Sequence, residues 1–202
     1  MTRKESAGRP VRSSGPWSEL DGLEKLFWFL LFLWTLVGLI WFYYNVESFL
    51  YYVEDLLFQV FAAGCVILAL RVSLSKRALW GWCASVGLLS ALAEGIGVAT
   101  GLLFGEYAYT ERFGPRLLGV PLAIPLAWIA VVGALCLLWL PFFPRRSGWT
   151  HLWFAFLIGV SAVVIDGMIE PMAVAARGYW MWQPVEGWAW YGAPLPNFIT
   201  WF

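Results

Sequence analysis

Five apolar runs dominate this chain, at 26–44, 50–70, 79–104, 120–142 and 152–175. Each is close to the ~20 residues that carry a helix across the hydrocarbon core of a bilayer. In lipid every backbone N–H and C=O needs an internal partner, so only helices and closed barrels span it. The runs are about twice the length of a barrel strand. The fold class is therefore an all-α polytopic membrane protein, with about five transmembrane helices. The charged fraction agrees: 13% of 202 residues, against about 25% in soluble domains.

Residues 1–24 read as a flexible cytoplasmic tail, and 25–202 as one transmembrane helical domain. The first apolar run is too long for the h-region of a signal peptide, and no small-x-small cleavage site follows it. After the fifth run comes a Trp/Tyr/Pro-rich stretch, 179–196, read as a re-entrant or interfacial segment. Residues 197–202 look like the start of a further apolar element. Lys and Arg fall ten to three on the two sides: Arg3, Lys4, Arg9, Arg12, Lys25, Arg71, Lys76, Arg77, Arg145 and Arg146 against Arg112, Arg116 and Arg177. The bias puts the N-terminus in the cytoplasm of a multi-pass protein of the cell membrane. The formal net charge is zero, which gives no basis for nucleic-acid binding. His151 and the scattered Cys65, Cys83 and Cys136 have no metal-ligand spacing, so no metal is expected. No nucleotide-binding motif is present.

Three carboxylates interrupt the apolar runs: Glu94, Asp166 and Glu170. An ionised carboxylate at membrane depth costs at least about 2.5–3.5 kcal/mol, so such residues mark function or a partner. Glu94 lies 15 residues past Leu79 and Asp166 lies 14 past Leu152, depths of about 22 and 21 Å. Glu170 follows Asp166 by one helical turn on the same face. The three acids can share one layer in the outer half of the membrane. Gly95, Gly97, Gly101 and Gly105 strip side chains from the helix beside Glu94, opening room for a helix or a flat ligand. Pro171 removes a backbone donor and frees a carbonyl near the acids. Two carboxylates a turn apart in low dielectric cannot both ionise cheaply, which suits a general acid beside a general base. The plainer alternatives are a Glu94 that serves helix packing and an acid pair neutralised by Arg112, Arg116 or Arg177. Tyr107, Tyr109, Trp128, Trp180 and Trp182 read either as an interfacial belt or as π faces over a cation. Glu54 and Asp55, near an outer end, read as solvated or as favourable helix-start charges.

Acids without a metal or nucleotide motif, in an apolar enclosure, suit proton transfer to an apolar alkene. A carboxylic acid donates the proton, and aromatics and a carboxylate face the resulting tertiary cation. Water addition, isomerisation and cyclisation all start this way, and a non-catalytic carrier or scaffold also uses intramembrane acids. No inverted repeat is visible between the halves.

Several strings in order resemble the membrane-bound carotenoid biosynthesis protein family. They are Glu94-Gly-Ile-Gly, Thr100-Gly-Leu-Leu-Phe-Gly-Glu-Tyr-Ala-Tyr109, Gly119-Val-Pro-Leu-Ala-Ile-Pro-Leu-Ala-Trp128, Asp166-Gly-Met-Ile-Glu-Pro171, Tyr179-Trp-Met-Trp182 and Tyr191-Gly-Ala-Pro-Leu-Pro-Asn-Phe198. The family's characterised members are carotenoid hydratases of the bisanhydrobacterioruberin hydratase and γ-carotene 1′-hydratase types. The resemblance implies cofactor-free addition of water to the terminal C=C of a linear or monocyclic carotenoid. It implies Glu94, Asp166 and Glu170 as the proton relay, and Asn197 as the group that orients water or the new hydroxyl. Tyr107, Tyr109, Trp128, Trp180 and Trp182 then contact the substrate. The implied partners are a lipophilic carotenoid, the bilayer and other enzymes of the same pathway.

Overall fold

The structure, a computed structural model, describes residues 20–44, 50, 52–143 and 148–202. The expected tail up to residue 19, with four of its cations, lies outside the described residues, as do Arg145 and Arg146. Five long helices follow one another: α1 (Gly22–Tyr43), α2 (Glu54–Leu70), α3 (Lys76–Thr100), α4 (Ala123–Trp139) and α5 (Gly148–Glu170). The last continues through wider π turns at Pro171–Arg177. Four are long and apolar enough to cross a membrane: Gly22–Tyr43, Lys76–Thr100, Ala123–Phe142 and Gly148–Arg177. The other, α2, has 17 residues, the lower limit for a span.

Polar side-chain caps set two of the helix starts. Asp21 and Glu24 form a reciprocal capping box, each side chain accepting from the other's backbone N–H at 2.9 Å, so α1 begins at Gly22. Ser75 caps α3. Arg71, just past α2, pairs with both Asp21 and Glu24 and ties the ends of α1 and α2 together.

Many interior positions are small residues, and many large apolar ones face outward. Ala63, Gly97, Gly133, Gly159, Ala162 and Ala173 are buried, while Phe29, Phe32, Leu88, Leu89 and Leu92 are exposed. That inversion is what lipid solvation allows, because backbone proximity holds membrane helices together. α4 packs against α2, α3 and α5, and α1 packs chiefly on α2.

Short strands join the helices at one end. β1 (Tyr107–Tyr109) pairs antiparallel with β4 (Trp180–Trp182). Two tight hairpins, β2 (Arg116–Leu117) with β3 (Val120–Pro121) and β5 (Ala189–Trp190) with β6 (Ala193–Pro194), each precede a helix. The second of these helices is the short α6 (Leu195–Trp201). The hairpin turns are alike: Leu118 and Gly119 have φ of 52° and 84°, and Tyr191 and Gly192 have 52° and 92°. Positive φ at both central positions is the type I′ turn, whose twist matches antiparallel strands.

These parts recur at a fixed interval. β1 and β4 start at 107 and 180, β3 and β6 at 120 and 193, and Trp128 and Trp201 follow at the same spacing, 73 residues in each case. α3 and α5 start at 76 and 148. Each unit is a long helix carrying a buried acid, an aromatic-x-aromatic strand, an I′ hairpin and a helix with Trp in its second turn. The two units meet where β1 pairs with β4, and where Trp128 stacks on Trp201 with ring centroids 4.2 Å apart.

Candidate active site

The acids lie on the stripes by which their helices face the interior. On α3 the buried positions include Leu79, Cys83, Ser90, Glu94 and Gly97. On α5 they are Gly159, Ala162, Asp166 and Glu170, continued by Ala173. These spacings of three, four and seven keep one helix face inward. Glu94, Asp166 and Glu170 are 5%, 2% and 1% exposed.

The β1–β4 ribbon explains how two of the acids are held. Register places Tyr107 opposite Trp182 and Tyr109 opposite Trp180. Side chains alternate along a strand and cross-strand partners share a face, so all four rings lie on one side. Ala108 and Met181 take the other. The Tyr107 and Tyr109 hydroxyls donate to Glu94 Oε2 at 2.5 and 2.8 Å. The Trp128 indole donates to Glu94 Oε1 at 3.3 Å. The Trp180 and Trp182 indoles both donate to Glu170 Oε2, at 3.3 and 3.0 Å. Burial, and then the charge of Glu94, push the Tyr107 and Tyr109 phenols well above their usual value, so both remain O–H donors.

Asp166 takes its partner from the second hairpin unit. Asn197, 3% exposed, donates through Nδ2 to Asp166 Oδ2 at 2.6 Å. α6 packs against α5, and the Phe202 carbonyl lies near Gly159, two turns before Asp166. The element after the aromatic stretch thus turns back along α5. Pro171 has no N–H to offer the carbonyl of Gly167, four residues earlier. The Trp190 indole fills that vacancy, donating to Gly167 O at 2.9 Å.

A cavity of about 950 Å³ collects these groups, near the upper end of the range for small-molecule sites. Glu94, Asp166, Glu170, Tyr107, Tyr109, Trp128, Trp180, Trp182 and Asn197, all named from the sequence, line it. The acids share the cavity without meeting at a point: among the described residues no three of His, Cys, Asp or Glu come together in a metal-holding group.

The structure corrects two expectations. Glu54 and Asp55 do start a helix, but they are not simply solvated. Glu54 pairs with Arg177 at 3.4 Å, Asp55 accepts from the Tyr179 hydroxyl, and all four line the cavity. Nor do Arg112, Arg116 and Arg177 neutralise the α5 acids. Arg177 serves Glu54, Arg116 pairs with Glu111 at 3.5 Å, and Arg112 reaches the Arg177 carbonyl at 3.5 Å. Neutral O–H and N–H donors hold the buried carboxylates instead. The sequence signal for Tyr179 was its place in the aromatic string, where nothing separated it from its Trp neighbours.

Fold and site together define a polytopic membrane protein with an acid- and aromatic-lined chamber. Residues 54–202 match the family described as carotenoid biosynthesis protein. The chain belongs to that family. Over 109 residues it is 31% identical to the bisanhydrobacterioruberin hydratase of Haloarcula japonica. That stretch is 54% of this chain and 36% of the relative, so the match spans about a third of the relative's length. No solved structure matches the chain.

Proposed function

We propose that this protein is a carotenoid hydratase, adding water to the terminal C=C of a linear or monocyclic carotenoid by acid catalysis without a cofactor. The observation that carries the reading is a set of three buried carboxylates, held by neutral donors, around a cavity in the residues that match the family.

Donor inventory divides the work. Glu94 accepts on both oxygens, three bonds in all, which suits a carboxylate that faces a cation or takes up a proton. Glu170 accepts only on Oε2 and Asp166 only on Oδ2 among the described residues. Each keeps an oxygen that can carry a proton into the cavity. In the proposed reaction the α5 pair delivers its proton to the less substituted alkene carbon. The π pair forms the new C–H bond and leaves a tertiary carbocation. The indole faces of Trp180 and Trp182 and the Glu94 carboxylate stabilise that cation. A water held near Asn197 adds through oxygen and gives its extra proton to a carboxylate. The carboxylates of the cavity then redistribute that proton to restore the α5 pair. The net change is one water gained and a tertiary alcohol formed. Glu54, Asp55, Arg177 and Tyr179 give water a polar entry to the cavity.

The same reading takes 25–202 as one domain in the cell membrane with a cytoplasmic N-terminus, so the acids face the outer half. Expression in a strain accumulating lycopene or γ-carotene tests it. Pigment heavier by one water supports hydration. A pigment of new retention and unchanged mass points to a cyclase or isomerase, and unchanged pigment with inserted protein points to a carrier or scaffold.

A further inference from the structure

The cavity does not end at the acids. Its wall on α1 runs through Trp28, Leu31, Thr35, Gly38 and Phe42, a helical stripe about 21 Å long. On α2 it passes Phe58, Ala62 and Cys65, and on α4 it passes Ala127, Ala130 and Ala134. Spacings of three and four mark one face of each helix, so three helices present parallel stripes to one trough. Gly133, beside Ala134, lies against Trp82 of α3. Trp82 precedes Glu94 by twelve residues, so the trough reaches about 18 Å below the acid layer.

Its lining changes character along that length. The carboxylates, the hydroxyls and Gln59 belong to the upper part. Lower down, Thr35 spends its hydroxyl on the Leu31 carbonyl at 2.8 Å, and the remaining walls are hydrocarbon, small residues, the Trp28 indole and the Cys65 thiol. Gly38, Ala62, Ala127, Ala130 and Ala134 leave the width. Among the described residues the lower trough offers an occupant few polar groups, the Trp28 indole, the Thr35 oxygen and the Cys65 thiol, and the upper end holds the reactive groups. α1, one entire wall, precedes the residues that match the family.

We infer that this trough is a length-selecting subsite for the polyene body of the substrate. The chain lies along the membrane normal, its reacting end among Glu94, Asp166 and Glu170 and its body running down between α1, α2 and α4 towards Ala134. The inference rests on the hydratase reading and adds to it the pose and the residues that measure length.

The test uses the full chain with two hydrocarbons that share an end group, lycopene and the short isoprenoid farnesene. Ala134→Trp fills the deep end and lowers lycopene hydration about tenfold or more, the usual scale of overpacking, with farnesene changed less than about twofold. Ala134→Leu shows the same asymmetry to a smaller degree, which covers the case in which the larger residue disturbs folding. Leu92→Trp, on the lipid face at 62% exposure, changes neither substrate. Lycopene hydration unaffected by Ala134→Trp overturns the inference. So does an equal fall for both substrates in both Ala134 variants, which is also what a trough holding only a lipid chain gives. A wild-type protein inert toward both hydrocarbons instead overturns the hydratase reading.

Discussion

The two strands of the β1–β4 ribbon hold their carboxylates differently. On one side, phenols from strand β1 and an indole from α4 saturate Glu94 on both oxygens. On the other, two indoles from strand β4 converge on one oxygen of Glu170, and its second oxygen has no donor among the described residues. The strands are equivalent in the repeat, Tyr107 and Tyr109 answering to Trp180 and Trp182 at 73 residues, but the acids are not: the same spacing carries Glu94 to 167, beside Asp166. A phenol both donates and accepts a hydrogen bond, and an indole N–H only donates. The saturated site is built to hold an acceptor, the half-open site to release a proton beside broad π faces. The two units thus meet in one ribbon whose strands offer different donors to acids at non-equivalent positions.

The largest expected effect breaks the half-open side. Glu170→Gln still accepts from the indoles but has no acidic proton, and hydration falls by about 10²- to 10⁴-fold, the range for a lost general acid. Pigment mass in a lycopene-making strain reads this directly. Glu94→Gln comes next, at about 10²-fold. It also shifts the surviving product toward an isomer of unchanged mass, because the cation loses its anionic neighbour before water adds. Chromatography coupled to mass detection separates the two products. If Glu94→Gln costs more than Glu170→Gln and leaves only starting pigment, the roles are reversed.

Single-donor losses sharpen the comparison. Trp182→Phe keeps a ring but removes the 3.0 Å bond to Glu170, leaving only the longer Trp180 bond. The expected loss is about tenfold, the upper end of the range for a hydrogen bond between neutral groups. Tyr107→Phe leaves Glu94 with Tyr109 and Trp128, so the expected loss is less than about threefold. Initial rates in membranes rank the pair, and the opposite order would dissolve the distinction between saturated and half-open cradles. The smallest effect is at Pro171→Ala. The restored N–H competes with Trp190 for the Gly167 carbonyl, and thermal stability in detergent changes by about 1 kcal/mol or less.

Much of this arrangement follows from residue chemistry read along the chain. Glu94, Asp166 and Glu170 stood out because burial in lipid makes an acid expensive, whatever its neighbours. Pro171 announced a freed carbonyl because a missing N–H is local information. The partners of these groups were a different matter. Tyr107–Tyr109 and Trp180–Trp182 are three-residue strands, too short for any period to show, and their pairing spans the whole of α4 and α5. Arg177 and Tyr179 meet Glu54 and Asp55 across 123 and 124 residues, so the α2 acids could be read as solvated or helix-start charges but not assigned these partners. The repeat was hidden for a similar reason. Between Leu118-Gly-Val-Pro-Leu122 and Tyr191-Gly-Ala-Pro-Leu195, the shared signal is a turn glycine, a proline and a leucine. Turn geometry preserves those residues in kind and leaves the rest free to change.

The central claim is that the buried acid layer adds water to a carotenoid end. Its most direct test is expression of the wild type and Glu170→Gln in a lycopene-accumulating strain grown in ¹⁸O-labelled water, with the pigments weighed. A hydroxylated pigment carrying the heavy oxygen is expected in the wild type and none in the variant. A wild-type protein that is inserted yet leaves every pigment unchanged, or a hydroxyl without the label, would contradict it.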